Sequence, residues 1–129
     1  MFYFSKKSKA QLETCHKDLQ AVCEELIKQY DFSVLCGHRS EKEQNAAYRS
    51  KKSQVKYPHS AHNKTPSLAV DIAPYPIDWN DLSRFKEMII RFDTVANMLR
   101  TQGKITSNFV YGANWKTLPD FPHIEIKEK

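Results

Sequence analysis

The sequence predicts an α+β fold in which a small, mostly antiparallel sheet is packed by helices. Two long segments repeat apolar residues at spacings of three and four, which is the pattern of a helix with one buried face. Short apolar runs that end at glycine or proline alternate with a period of two, which is the pattern of a strand. These segments follow one another as helix, strand, helix, strand, helix, strand and strand, with no internal repeat and no linker. We therefore expect one domain that spans residues 1–129.

The first predicted helix covers residues 9–30. It begins after Ser8. Ser8 and Gln11 have the spacing of a capping box, in which the first residue caps the helix and the second lies in its first turn. Its apolar stripe consists of Leu12, Cys15, Leu19, Val22, Cys23, Leu26 and Ile27. Two cysteines lie in this stripe, and we interpret them as small buried hydrophobic residues. With Cys36 they make an odd number without a CxxC pair, which predicts neither a disulfide framework nor a zinc finger.

A short strand and a second helix come next. The run FSVLC, residues 32–36, has strand character and is stopped by Gly37. Ser40 and Glu43 form another capping box, and they open a helix that extends to about Ser50. Residues 51–66 are basic and polar and contain two prolines. They predict a long loop, and loops of this length are usually functional or mobile.

The second half of the chain contains the remaining strands and one helix. The run SLAVDIAP, residues 67–74, is predicted as a strand with apolar side chains alternating between its faces. Asp78 or Asn80 is the expected cap of a third helix, which ends near Gly103. Its stripe consists of Leu82, Phe85, Ile89, Phe92, Ala96 and Leu99. The runs FVYG and PHIEIK are predicted as strands, with a loop over residues 112–120 between them.

Polar residues interrupt two of the predicted strands. Asp71 lies within an apolar run, where a carboxylate needs a partner, and His62 lies in the loop that leads to it. His123 starts the last strand, with Asp120 three residues before it. Two histidines and one carboxylate are a common ligand set for a catalytic zinc that keeps a position open for water. Glu125 shares a strand face with His123 and could orient its ring.

These residues occur in strings that resemble a known family. The string SAHNKTPSLAVD, residues 60–71, and the pattern G-x2-W-x4-D-x-P-H-x-E, residues 112–125, are similar to motifs of one family of zinc peptidases. That family comprises D-alanyl-D-alanine carboxypeptidases and phage L-alanyl-D-glutamate endolysins, and its members share the hedgehog-type fold. The upstream pattern G-x-R-S-x3-Q fits as well, so the resemblance covers about residues 32–127.

The resemblance implies a role for several side chains. The implied zinc ligands are His62, Asp71 and His123. Asp120 would be the general base that activates water, and Arg39 would stabilise the substrate carbonyl as it gains charge. The implied pocket residues near the substrate are Ser60, Gln44 and Trp115.

Two features depart from the family's pattern. Many relatives have a shorter segment with a glycine between the His62 and Asp71 positions, where this chain has NKTPS. Some members carry glutamate at the position of Asp120, and either carboxylate can do the proton work. The longer segment leaves the geometry of the loop near His62 open.

The expected function is that of a zinc-dependent peptidase acting on the stem peptides of bacterial peptidoglycan. It would cut either a terminal D-Ala-D-Ala bond or an internal L-Ala-D-Glu bond, as a phage-type lysis or wall-entry enzyme. We expect a monomer that binds Zn²⁺ and the stem peptide but no nucleic acid. The N-terminal segment lacks the order of a secretory signal, and no run approaches the ~20 apolar residues of a membrane span. The expected location is therefore synthesis in a cytoplasm, the host's if phage-encoded, and action at the cell wall.

The alternative is a basic module that binds nucleic acid or cell wall and has no catalytic metal. It is supported by a net charge of +5, a pI of about 9.1 and the run RSKKSQVK. Aromatic residues do not interleave with these basic residues as a stacking platform requires. His59 lies beside the metal motif, and the sequence leaves its role open.

Overall fold

The computed structural model describes residues 1–116 and 119–128. Over these residues the chain forms four α-helices and four strands. The elements in chain order are α1 (Lys6–Leu12), α2 (Lys17–Leu26), β1 (Phe32–Cys36), α3 (Glu41–Arg49), β2 (Ala69–Pro74), α4 (Leu82–Thr101), β3 (Phe109–Tyr111) and β4 (His123–Ile126). Two 3₁₀ helices, Ala61–Asn63 and Gly112–Asn114, precede β2 and β4 respectively. The predicted α+β class is confirmed.

The four strands form one open antiparallel sheet with the order β1-β2-β4-β3. Asp71 on β2 lies directly opposite His123 on β4, and Cys36 on β1 lies opposite Asp71. Residues opposite one another on paired strands have Cβ atoms about 4.5–5.5 Å apart. The register of the two central strands therefore brings a carboxylate and an imidazole from distant parts of the chain into contact range.

The hydrophobic core lies between the sheet and the two long helices. α2 packs against α4, and α4 packs against β2. Leu19, Phe85, Phe92 and Ile72 are at most 1% exposed. Burial of a side chain of this size contributes about 1.5–3 kcal/mol, so these residues fix the position of β2.

The prediction of one continuous helix over residues 9–30 is wrong. The chain breaks into α1 and α2 because its backbone bonds to the segment before β2. The amide of His16 donates to the carbonyl of Ser67 at 2.8 Å, and the amide of Ser67 donates to the carbonyl of Thr14 at 2.9 Å. Nδ1 of His16 then caps α2 by accepting from the amide of Asp18. These bonds tie the N-terminal helices to the entrance of the central strand.

The helix caps agree with the sequence prediction only in part. The capping box of Ser40 and Glu43 is present at α3, as predicted. α1 starts one turn earlier than expected, with Ser5 as its cap. Ser8 instead is buried, and its hydroxyl accepts from the amide of Val34 in β1. α4 is capped by Asp81 and not by either of the predicted residues.

The predicted loop over residues 112–120 includes Thr117 and Leu118, which lie outside the described residues. The predicted long loop over residues 51–66 contains the 3₁₀ helix Ala61–Asn63. Among the described residues, no helix combines the length and the apolar character needed to cross a membrane.

Candidate active site

Three side chains from separate segments meet above the centre of the sheet. Nε2 of His62 lies 3.3 Å from Oδ1 of Asp71, and Nδ1 of His123 lies 3.1 Å from the same oxygen. The two imidazole rings are 5.1 Å apart between centroids. One donor atom from each of the three residues falls within 4.8 Å of the others, which is close enough for one metal ion.

The protein backbone fixes the proton on the His62 ring. Nδ1 lies 2.7 Å from the carbonyl oxygen of Gly37, and a carbonyl only accepts. Nδ1 therefore keeps its hydrogen, and Nε2 is the ring nitrogen that can bind a ligand once its own proton has left. Nε2 is buried, and it has no hydrogen-bond partner within the described part of the chain, since its contact with Asp71 lacks hydrogen-bond geometry. A buried ring nitrogen without a hydrogen-bond partner fits a metal ligand.

The His123 ring is held at its Nε2 by a carboxylate, whereas the His62 ring is held at its Nδ1 by a backbone carbonyl. Nε2 lies 2.6 Å from Oε1 of Glu125, which is two residues away on the same face of β4. Nδ1 of the same ring points to Asp71. With the proton on Nε2, the Nδ1 lone pair is free for a ligand, and Glu125 orients the ring as a carboxylate does behind a metal-bound histidine.

The three groups shift one another's pKa values strongly. Burial lowers the pKa of His62, but its contact with the Asp71 carboxylate outweighs burial and raises the pKa to about 10. His123 is affected in the same way by Asp71 and Glu125, and its pKa rises to about 9. Burial raises the pKa of Asp71, but the two imidazoles outweigh it and hold that pKa far below its usual range. Without a metal, the group is thus a carboxylate between two protonated rings.

Asp120 approaches this group from the segment before β4. It is partly buried and lines the same cleft as His62 and His123. Burial and the nearby charge of Asp71 raise the pKa of its carboxyl above the usual value. A carboxylate with a raised pKa is a better base, so its environment suits proton transfer near neutral pH.

Gly112 allows the segment with Asp120 to pass close to His123. The amide of Asp120 donates to the carbonyl of Gly112 at 3.0 Å. A Cβ at position 112 would meet the carbonyl oxygen of Asp120 at 2.3 Å and Cβ of His123 at 2.9 Å. Both distances are shorter than real Cβ contacts, so only glycine fits without a shift of the backbone.

We expect Gly112→Ala to weaken metal binding by at least about tenfold, because displacement of either ligand-bearing segment alters the ligand geometry. The dissociation constant of the variant for an added divalent metal ion, measured by competition with a chelator, checks this. Gly103→Ala is the matched control, since a Cβ there meets no atom within 4 Å although its φ of +74° is strained. Unchanged zinc affinity in Gly112→Ala would contradict the steric argument.

Arg39 faces the carboxylate group from the loop before α3. Its Nη2 lies 3.7 Å from Oδ2 of Asp71, and its Nη1 donates to Oε1 of Gln44 at 2.9 Å. Gln44 is wholly buried, and its amide nitrogen donates to the hydroxyl of Ser53 and the carbonyl of Val55. Gln44 therefore contacts the protein on both sides and does not line the cleft.

Ser60 and Trp115 line the cleft. The Ser60 hydroxyl accepts from the amide of His62 at 3.2 Å and caps the short 3₁₀ helix that bears this histidine. The ring of Trp115 lies 5.1 Å from that of His123 between centroids. His59 also lines the cleft but does not belong to the group of three donors.

Two residues that shape the site were assigned no role from the sequence. The carbonyl of Gly37 orients His62. Asn63 accepts from the amide of Ser60 and donates to the carbonyl of Arg39, so it joins two loops of the cleft. Asn63 could have been found from its spacing to Ser60, which is that of a capping box, but a backbone carbonyl leaves no mark in the sequence.

The cleft has a volume of about 580 Å³ and opens beside the three donors. Two nitrogen donors and one carboxylate oxygen are the protein ligands of a single-metal hydrolase site, which leaves positions for water and substrate. The group of His62, Asp71 and His123 could hold such a metal ion.

This fold and donor set are those of a small peptidase domain with one candidate metal site. The chain belongs to the phage L-alanyl-D-glutamate peptidase family, whose model matches residues 1–129. Its structure is similar to the crystal structure of the Serratia marcescens L-Ala D-Glu endopeptidase ChiX, with a TM-score of 0.76. The two chains are 25% identical over 97% of this chain and 90% of that chain. The comparison with curated proteins gave no match.

Proposed function

We propose that this chain is a zinc-dependent endopeptidase that cleaves the L-Ala-D-Glu bond of peptidoglycan stem peptides. The observation that carries the proposal is the free, buried Nε2 of His62, which faces Asp71 beside Nδ1 of His123. The sequence left two bonds open, and the family and the structural neighbour both favour the L-Ala-D-Glu bond. We further propose that residues 1–129 act as one catalytic domain at the cell wall.

Zinc held by His62, Asp71 and His123 would supply a Lewis acid that polarises the peptide carbonyl and lowers the pKa of water. Asp120 accepts the proton of the attacking water and donates it to the leaving amine. The raised pKa of its carboxyl supports both steps, because the group is basic enough to take the proton and acidic enough to return it.

Arg39 places a guanidinium beside the Asp71 carboxylate. There it would stabilise the oxygen of the scissile carbonyl as that oxygen gains charge. A positioned donor of this kind typically contributes about 10²–10³ in rate. Gln44 holds this side chain through Nη1 and acts as a positioning residue. Trp115 forms an apolar wall beside His123, and Ser60 holds the backbone that carries His62.

The test is digestion of purified peptidoglycan by the zinc-loaded protein, followed by mass analysis of the fragments. Cleavage of the L-Ala-D-Glu bond produces stem fragments with a new glutamyl N-terminus. Release of single D-alanine residues would instead assign the carboxypeptidase activity, and intact peptidoglycan would overturn the proposal. Protein treated with a chelator is the control, and added zinc should restore its activity.

A binding module without a catalytic metal is the less supported function. The family is one of peptidases, and the basic run RSKKSQVK borders the cleft. Membership in this family favours the enzyme over the nucleic-acid or wall-binding module.

Zinc affinity is expected to rise steeply with pH. The pKa values of about 10 for His62 and about 9 for His123 mean that both rings are protonated in the metal-free protein at pH 7. Metal binding must displace these protons, so the affinity rises up to about 100-fold per pH unit between pH 6 and pH 8. Calorimetric titration with zinc in buffers of different ionisation enthalpy measures the protons released. Release of no protons at pH 7 would contradict these pKa shifts.

The same shifts predict the pH dependence of the metal-free fold. A histidine whose pKa is raised by folding stabilises the protein fully below its unfolded value of about 6.5. That contribution disappears as the pH rises through about 9 to 10. The free energy of unfolding of the chelated protein should therefore fall between about pH 6.5 and the folded pKa values of about 9 to 10.

A further inference from the structure

The loop after α3 brings two lysines to the cleft. Lys51 and Lys52 line it together with Arg39. Of the three carboxylates that line the cleft in the described part of the chain, Asp71 and Glu125 contact the two histidines, and Asp120 forms no ion pair with either lysine. Neither lysine forms an ion pair within residues 1–116 and 119–128. The cleft thus has ammonium groups available for an anionic ligand.

Lys51 has an unusual backbone conformation. Its φ is +65°, and it is the one non-glycine residue with a positive φ in the described part of the chain. It follows Ser50, the C-cap of α3, and so occupies the position where helices usually end with glycine. A side chain in this left-handed region is energetically costly, and such costs tend to occur at functional sites. The backbone at position 51 favours glycine, yet the chain has a lysine there, and this lysine lines the cleft.

The loop that carries the lysines is fastened to α3. The amides of Lys52 and Ser53 both donate to the carbonyl of Ala47, at 2.9 Å and 3.1 Å. The buried amide of Gln44 then holds the hydroxyl of Ser53 and the carbonyl of Val55, at 2.9 Å and 2.7 Å. Because these bonds already order the loop backbone, binding of a ligand to its charges costs less conformational entropy.

The chemistry of the substrate supplies a matching anion. In an L-alanyl-D-glutamyl peptide, the glutamyl residue has two carboxyl groups, and continuation of the chain uses only one. The other remains a free carboxylate unless it is amidated. It lies within one residue of the scissile bond, so it must occupy the cleft when that bond is at the metal ligands.

Resting on the proposed function, we propose that Lys51 and Lys52 bind the free glutamyl carboxylate and make the enzyme prefer the acid form of its substrate over the amide form. The ion pairs form at the substrate's glutamyl residue and take no part in proton transfer. Because they are partly open to solvent, their effect decreases at high salt.

The experiment compares two probe peptides with the zinc-loaded protein. One is N-acetyl-L-alanyl-D-glutamyl-lysine, in which the lysine is attached to the side-chain carboxyl of D-glutamate. The α-carboxyl of the D-glutamate is free. The other is the same peptide with that carboxyl as an amide. We expect kcat/KM to be about three- to tenfold higher for the acid at low salt, which is the range of one or two exposed ion pairs. This preference should shrink at 0.5 M salt.

The variants separate the charge from the fold. Lys51→Met and Lys52→Met should each lower kcat/KM for the acid about threefold and leave that for the amide unchanged. Lys51→Gly should lose the preference equally while its melting temperature stays equal or rises, since glycine relieves the positive φ. Lys56→Met is the matched control, because Lys56 lies over the ring of Tyr48, 5.1 Å from its centroid, and does not line the cleft.

The possible outcomes are distinct. Loss of the acid preference in the Lys51 and Lys52 variants, with the preference kept in Lys56→Met, supports the inference. Equal cleavage of both peptides by the wild type, or an equal loss on both peptides in the variants, overturns the inference while the proposed function stands. Cleavage of neither peptide, and of no L-Ala-D-Glu bond in whole peptidoglycan, overturns both.

Discussion

Replacement of His62 by alanine is expected to abolish both zinc binding and peptidase activity. The change removes one of two nitrogen donors and leaves the carbonyl of Gly37 without its partner. Loss of a residue that only orients a ligand typically lowers metal affinity 10- to 100-fold, so loss of the ligand itself should exceed about 100-fold. His123→Ala should behave in the same way. Metal analysis of dialysed protein and a peptidoglycan-digestion assay measure the two effects.

His59→Ala is the matched control for this prediction. His59 is also a histidine of the cleft, but it lies outside the group of three donors. This variant should keep one zinc per chain. If His62→Ala also retained one zinc per chain and full activity, the assignment of the ligands would be wrong. Circular dichroism of each variant separates loss of metal from loss of the fold.

Asp120→Asn is expected to keep its zinc and to lose activity by about 10²–10⁴-fold. Asparagine has the same shape, but it cannot accept the proton of water. The side chain of Asp120 is not one of the three donors, so zinc content should not change. The measurement is kcat/KM on the acid-form peptide together with zinc per chain. Full activity would refute the assignment of Asp120 as the base.

The pH profile provides a second measurement on the same group. If Asp120 is the base, the acidic limb of the wild-type kcat/KM profile should lie above the usual range of an aspartate, because burial and Asp71 raise its pKa. The weak activity of Asp120→Asn should lack this limb. Asp78→Asn, a change of the same type at an exposed residue that does not line the cleft, should keep the wild-type profile.

The elements with local signals were predictable from the sequence. The capping box of Ser40 and Glu43 lies within four residues, and it opens α3 as expected. The alternation around Asp71 predicted the strand β2, and the polar residue in its apolar run lies in the group of His62, Asp71 and His123 that could hold a metal ion. The prediction of His62 and His123 as ligands rests on their residue types and on surrounding strings that resemble a known family.

The features that depend on distant contacts were not predictable. The apolar stripe of the first helix continues through residues 13–16, yet the helix breaks there. The amide of His16 and the carbonyl of Thr14 both bond to the backbone of Ser67, some fifty residues away. Gln44 could not be distinguished from a substrate contact until its buried position was known. The positive φ of Lys51 occurs at a residue other than glycine, and no sequence pattern predicts it.

The hydrogen bond between Gly37 and His62 affects how the enzyme can change over generations. A histidine ring that is oriented by an aspartate loses its partner when that aspartate is replaced. A backbone carbonyl remains after any side-chain replacement that leaves the backbone conformation unchanged. What restricts position 37 is instead the size of its side chain. A methyl group there would come within 2.4 Å of the Gln11 carbonyl and 2.3 Å of the Thr14 hydroxyl. Random mutagenesis should therefore find position 37 intolerant of all replacements, including alanine, although it contributes no side chain to the reaction.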